Sequence, residues 1–214
     1  MDAHQSAWGE VVSAKVIENL KKRRMEGSYA PTAKQACDEI LAMIHEGSSV
    51  YRGGSITTAQ IGFWDRLKEI PGVKVLNPYE PGISKEEAYS RRRMGFQADV
   101  MVAGTNAITM DGILVNLDGT GNRVAGMIFG PSKVILAVSI NKIVKDLDAA
   151  KERIKRYSAP INARRLGYKT PCAVTGICSE CDSPQRICNV WSIIEGQLFP
   201  GRIHVKFIGE DLGY

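Results

Sequence analysis

Cys172, Cys178, Cys181 and Cys188 fall within seventeen residues in the spacing C-x5-C-x2-C-x6-C, and account for all but one of the five cysteines. The surrounding run TPCAVTGICSECDSPQRICN holds the turn formers Gly176, Ser179, Ser183 and Pro184 and has little with which to build a core. Four thiolates over so short a stretch are a soft ligand set, which selects zinc, copper(I) or iron–sulfur clusters. A structural zinc ribbon pairs two Cys-x2-Cys knuckles, or one knuckle with two histidines. Here Cys178 and Cys181 make a single knuckle, and the three histidines, His4, His45 and His204, lie elsewhere. All-cysteine sets around one knuckle also hold iron–sulfur clusters, although the run C-x2-C-x2-C-x3-C-P is absent. The expectation is a [4Fe–4S] cluster on these four cysteines, with zinc as the alternative and disulfides or free thiols as the remaining reading.

Compartment bears on that choice. The N-terminus has no apolar h-region, and no stretch approaches the roughly eighteen apolar residues of a membrane span. The reading is therefore cytoplasmic, where thiols stay reduced and clustered cysteines serve metals or redox chemistry. Cys37 stands apart from the cluster. It follows Ala33 and precedes Leu41 at four-residue steps, the pattern of a small hydrophobe on a helix face.

Three glycine-rich loops could bind a ligand. Gly53-Gly54-Ser55-Ile56-Thr57-Thr58 follows a predicted strand and can offer backbone N–H groups to a phosphate or carboxylate. The plainer reading is a strand-to-helix turn capped by Thr57 or Thr58. Gly104-Thr105-Asn106-Ala107-Ile108-Thr109 follows a second strand, and Asp118-Gly119-Thr120-Gly121-Asn122-Arg123 a third. Arg123 beside a bare turn suits bidentate recognition of an anion; paired to Asp118 or Asp111 it would be structural instead. The chain has no Walker loop, G-x-G-x-x-G, G-x-S-x-G or HExxH, so nucleotide, hydrolase and zincin readings find no footing.

The elements that must position these loops come next. At 214 residues and 44% apolar, the chain can bury a full core. Residues 5–27 read as a helix with Trp8, Val12, Val16 and Leu20 on one face, ended by Gly27 and Pro31. Thr32 and Gln35 form a capping box that opens a second helix. From residue 48 short apolar runs at 49–52, 73–76, 99–103, 113–117, 133–138 and 203–208 alternate with helical stretches at 57–69, 84–96 and 146–157. Such alternation argues for an α/β layered domain with a largely parallel sheet, in which ligands gather at the carboxyl ends of strands. The expected organisation is a helical segment, 1–47, packed on an α/β domain, 48–214, with the cysteine segment 171–190 inserted before the last strand. The net charge of +5 is a mild basic excess. The runs Lys21–Arg24, 91–93 and 164–165 lack interleaved aromatics apart from Tyr157 and Tyr168, so they read as solvated faces rather than a nucleic-acid surface.

Residues 98–145, with GTNAIT, DGTGNRV and NKIVKDLDAA, together with the upstream YRGGSITTAQIG and the closing GEDLG, resemble the LUD domain, or lactate-utilization protein, family. The resemblance spans residues 10–214 and points to a compact branch with a C-terminal four-cysteine segment. It implies an open, mostly parallel α/β sheet of the NagB/RpiA/CoA-transferase-like kind. It also implies iron–sulfur-dependent oxidation of L-lactate or a related 2-hydroxyacid, alongside other lactate-oxidation subunits and with self-association into a homo-oligomer open. The crevice it implies for a small carboxylate or phosphate is lined by Gly54, Ser55, Thr57, Gly104, Thr105, Asn106, Gly119, Gly121, Asn122 and Arg123, with Arg123 as anchor; it assigns no catalytic residue. Two other functions stay open: a non-catalytic anion-binding or regulatory module with structural zinc, and a transferase or isomerase acting on a phosphorylated or CoA-linked substrate.

Overall fold

A computed structural model describes residues 3–214. Among these residues six strands form one all-parallel sheet in the spatial order β1 (Glu26–Ala30), β10 (Ile203–Ile208), β7 (Lys133–Ser139), β4 (Val100–Ala103), β2 (Ser49–Arg52), β3 (Lys74–Leu76). A smaller mixed sheet runs β8 (Ile143–Val144), β5 (Ala107–Thr109), β6 (Leu114–Asp118), β9 (Val190–Ile194). The open, mostly parallel α/β sheet expected from the apolar runs is the one found.

The large sheet is covered on both faces, which is why β4 is apolar throughout and β7 is apolar from Val134 to Val138. Met101, Ala103, Val134, Leu136 and Val138 face one core, with Val16 and Leu20 of α1 (Ala3–Lys22). Val100, Val102, Ile135 and Ala137 face the other, with Ala36, Cys37 and Ile40 of α2 (Ala33–Leu41). Cys37 is 1% exposed within this second core, as its helical spacing suggested.

The helix starts follow their caps. Thr32 accepts from the Gln35 N–H at 3.2 Å, and Ser84 from the Glu87 N–H at 3.1 Å, opening α5 (Lys85–Met94). The stretch expected as one helix over 57–69 is broken. α3 (Ile56–Gln60) and α4 (Phe63–Arg66) are separated at Gly62, whose φ of 71° lies in the left-handed region. Its cap is Ser55 rather than Thr57 or Thr58, because the Ser55 Oγ accepts from the Thr58 N–H at 3.3 Å.

Two expectations need larger correction. The first helix ends at Lys22, and residues 26–30, with Gly27 read as its stop, form β1 along β10 at the sheet edge. The small sheet's β5, β8 and β9 were not foreseen. They are two to five residues long, and their pairing comes from distant segments rather than from local apolar runs. The helical stretch at 146–157 becomes α7 (Leu147–Arg153), a π turn (Ile154–Ser158) and α8 (Ala159–Arg165). Pro160 explains the wide turn, since a proline lacks the N–H that would continue the α ladder and clashes with the carbonyl four residues back. α6 (Asn122–Ile128) and α9 (Pro171–Thr175) complete the helices described here. Ala150 and Ile154 pack with Ala107, Ile113, Val115 and Leu117 of the small sheet in a third core, against which Cys188 rests.

Candidate anion crevice and four-cysteine cavity

Strand order sets the place. β2 connects outward to β3, while β4 lies on its other side and leads towards β7, so the order of strand addition reverses between β2 and β4. That switch point is where open α/β sheets leave room for a ligand at their carboxyl ends. Gly54 and Ser55 follow β2, Gly104 to Asn106 follow β4, Lys142 follows β7, and Gly213 and Tyr214 follow β10; all of them line one crevice of ≈ 420 Å³. The volume is that of a small-molecule site. The loops after β2 and β4 touch. A Cβ on Gly104 would lie 2.7 Å from Ser55 Oγ and 3.3 Å from the Ala137 carbonyl oxygen, so a side chain there would push the loops apart.

Of the ten residues expected at this crevice, Gly54, Ser55, Gly104, Thr105, Asn106, Gly119, Asn122 and Arg123 line it. Thr57 stands behind the wall as the acceptor for Lys142. Gly121 precedes α6 with φ 84° and packs near Val190 instead.

Arg123 is not the free anchor that the motif suggests. Its Nε and Nη2 donate to Asp118 Oδ1 at 2.9 and 2.6 Å. Its Nη1 donates to the Gly104 carbonyl at 2.8 Å and to Asn116 Oδ1 at 2.7 Å, and Nη2 also reaches Asn106 Oδ1 at 2.8 Å. Five donor hydrogens thus make five hydrogen bonds to four acceptor atoms, which uses the full capacity of a guanidinium. The arginine ties the loop after β4 to the loop after β6, in line with the alternative reading of an Arg123–Asp118 pair. Asn116 is fully buried at the centre of this network, its Oδ1 also accepting from Thr105 Oγ1 at 3.0 Å and the Asn106 N–H at 3.2 Å.

Lys142 is the residue that sequence reasoning passed over. It is 4% exposed, and its Nζ donates to Thr57 Oγ1 at 2.9 Å. Burial, followed by the charges of Arg153 and Arg123, pushes its ammonium from 10.5 down to about 7. Arg92 and Arg165 also line the crevice, and among the described residues Asp118 is the one Asp or Glu side chain that does. With Asp118 held by Arg123, the wall presents an excess of positive charge, which suits an anionic ligand. Asn122 does not point freely either; its Nδ2 donates to the Tyr51 hydroxyl at 2.9 Å.

The four cysteines meet at a second cavity. Cys172, Cys178, Cys181 and Cys188 all line it, with Lys155, Glu180, Arg186 and Ile187 beside them. Arg186 shapes the loop by donating to the Cys181 carbonyl at 2.6 Å and the Cys188 carbonyl at 2.8 Å. Lys155 pairs with Glu180 at 2.7 Å. Burial pushes the Cys188 thiol up, with Lys155 acting against it and Cys178 and Cys172 adding to it. All five cysteines are free thiols. The cavity itself measures ≈ 20 Å³, about the room of one water molecule. Among the described residues no three His, Cys, Asp or Glu side chains are grouped so as to hold a metal ion. A soft-metal role therefore rests on the all-thiolate donor set and its convergence on one cavity.

The two cavities share a wall. Ile187 lines both, and a Cβ on Gly119 would sit 3.5 Å from the Ile187 Cα. The Asn189 N–H donates to the Asp118 carbonyl at 2.9 Å, and Asn189 Nδ2 to the Gly119 carbonyl at 3.1 Å. β9 then continues along β6 in antiparallel register, Val190 opposite Asp118.

The LUD domain family profile matches residues 13–208. The chain belongs to the LUD domain family. Among solved structures, this LUD-domain chain is similar to a DUF162 family protein from Deinococcus radiodurans, with a TM-score of 0.50 and 13% identity over 94% of this chain and 98% of that one. That likeness concerns the fold. A D-ribose-5-phosphate isomerase in complex with phospho-erythronic acid overlaps 54% of each chain at 22% identity and TM-score 0.39. The eIF2B delta of Chaetomium thermophilum overlaps 69% of this chain and 58% of its own at 18% identity and TM-score 0.34. A search of curated proteins gave no match. No helix among the described residues of the LUD-domain chain is long and apolar enough to cross a membrane.

Proposed function

We propose that this LUD-domain chain is a cytoplasmic component of lactate utilization, serving the oxidation of L-lactate or a related 2-hydroxyacid. The observation that carries the reading is the crevice at the strand switch point, where Arg92, Lys142 and Arg165 face a space whose one lining Asp or Glu side chain among the described residues, Asp118, is already paired with Arg123. A small carboxylate supplies the missing negative charge. Cys172, Cys178, Cys181 and Cys188 are the residues that would hold an iron–sulfur cluster one side chain away, across Ile187. Bound there, such a group supplies an electron-transfer centre and not a substrate-coordinating one, because four protein thiolates fill its ligand set. The residues of the chain itself bind and orient the anion, and the packing of Ile187 against Gly119 separates it from the cysteines. Companion subunits of lactate oxidation belong to this reading.

One observation favours a structural zinc at the cysteines instead. The ≈ 20 Å³ cavity takes a single ion more readily than an iron–sulfur cube, which requires the loop to open. Anaerobic purification followed by metal and acid-labile sulfide analysis separates the two. Iron and sulfide in equal amounts, with colour bleached by dithionite, support the redox reading. A colourless protein with one zinc and no sulfide removes it and leaves an anion-binding module with a metal staple.

A further inference from the structure

The hydrogen-bond inventory of the crevice is uneven. Arg123, whose position in the motif suggests ligand contact, has every donor taken by the protein. Asn122 donates from Nδ2 to the Tyr51 hydroxyl, and Asn106 Oδ1 is taken as acceptor by Arg123 and by the Leu117 N–H at 3.0 Å. Lys142 is the opposite case. A lysine ammonium carries three donor hydrogens. One goes to Thr57, and among the described residues no second acceptor is within hydrogen-bond distance of Nζ. Two donors of a largely buried cation are thus left to face the crevice, where water or a ligand oxygen can accept them.

The surroundings of Lys142 leave that acceptor's chemistry in little doubt. From α6, Arg123 raises the local positive potential, partly offset by Asp118 on β6. From α7, Arg153 does the same; its own donors go to the carbonyls of Asn141 and Asn106 and to Ser158 Oγ, at 3.1, 2.9 and 2.7 Å. From α3 comes the neutral Thr57. From the segment after β10 come Asp211, bonded to Asn141, and Tyr214, whose phenol is pushed up by burial and stays protonated. Gly213 passes so close that a Cβ on it would lie 3.0 Å from Nζ, which leaves the crevice side as the open approach. None of these elements turns a free carboxylate towards the amine.

We propose that Lys142 is the residue that takes the anion in this crevice, its ammonium donating two hydrogen bonds to an oxyanion of the ligand while Thr57 holds the third. The inference rests on the anion reading of the crevice and names the group that does the binding. It has a consequence for protons. Burial disfavours the charged amine and a bound anion favours it, so entry of the ligand is coupled to proton uptake at Nζ. Arg123 then acts as the positioning residue, holding Gly104, Asn106 and Asp118 as the frame around it.

The test uses the whole chain at pH 8 with three probes, L-lactate, pyruvate and inorganic phosphate, titrated calorimetrically in HEPES and in Tris. The wild type is expected to take up protons as the anion binds, seen as a binding enthalpy that differs between the two buffers. Lys142→Met, which removes a buried charge and keeps the volume, is expected to fold, to bind about tenfold or more weakly, and to take up no proton. Acetic anhydride labelling of Lys142 in the wild type gives a second readout that needs no variant: the bound anion should suppress it. Lactate or pyruvate bound equally well by Lys142→Met, or bound with no proton uptake, overturns the assignment of Lys142 and leaves the lactate reading standing. Phosphate alone binding with proton uptake and protecting Lys142 supports the assignment and removes the lactate reading. No protection of Lys142 by any of the three overturns the assignment outright.

Discussion

Arg123 donates from Nε and Nη2 to one oxygen of Asp118, at 2.9 and 2.6 Å, while its backbone N–H reaches the other oxygen at 3.2 Å. Both side chains are 10% exposed. So enclosed a pair, extended to Gly104, Asn106 and Asn116, is a brace between two loops. Removing one member leaves the other as an uncompensated buried charge. Arg123→Ala should therefore lower stability by about 3–5 kcal/mol in urea unfolding. Arg123→Lys is the sharper test. It keeps the charge but cannot supply five donors in a planar fork, so most of the loss should remain. A lysine variant with wild-type stability and weakened ligand binding would return Arg123 to the anchor role.

Lys142 gives stability a pH dependence of known sign. Its folded pKa of about 7 lies below its unfolded value of 10.5, so between those limits the unfolded chain binds more protons. Stability from this group therefore rises with pH across that window and is lowest below it, where the charge must be buried. Subtracting the urea stability of Lys142→Met from that of wild type, point by point in pH, should give a difference that closes as pH rises from 7 towards 10. Saturating anion should flatten it, because the bound state carries the charge with its partner. A difference that is constant over this range would place Lys142 in water.

The cysteine segment packs on α8, on the crevice loop through Ile187 and Asn189, and on the small-sheet core through Cys188. Cys181→Ser should bring metal content to background while leaving the far-UV circular dichroism of the main domain in place. Hydrogen exchange at residues 118–121 should accelerate, since Asn189 and Ile187 are what hold that loop from the cysteine side. Unchanged exchange there in a metal-free variant would uncouple the two cavities.

Gly95 tests how tightly the crevice is supported from below. A Cβ at this position would run into the Tyr51 ring, and Tyr51 is fully buried with its hydroxyl bonded to Asn122. Gly95→Ala should cost about 1–3 kcal/mol as overpacking. Because Tyr51 must shift, the same substitution should weaken anion binding although residue 95 does not line the crevice. Wild-type affinity in the destabilised variant would show that Asn122 holds its place without Tyr51.

The large sheet was legible because burial on both faces writes itself as unbroken apolar runs, as in Val134 to Val138. Thr32 and Ser84 were legible as caps because their bonds close within three residues. β1 was not. Its residues Glu26 to Ala30 are half polar and follow a helix directly, and only the edge of β10, about 178 residues away, makes a strand of them. β9 was missed for the same reason, being defined by β6.

The sequence by itself determined the family, the parallel α/β sheet, the glycine-rich loops and the set of four cysteines, since each depends on residue type and short spacing. Tertiary structure decided what those residues are free to do. It closed Arg123 on Asp118 and three other acceptors, and it left Lys142 buried against Thr57, 85 residues away, with donors to spare. It also set the cysteine cavity one isoleucine from the crevice. Hydrogen-bond capacity belongs to a residue, but whether that capacity is used depends on neighbours that only the folded chain brings within 3 Å, and this is why Lys142 rather than Arg123 has donors left for a ligand.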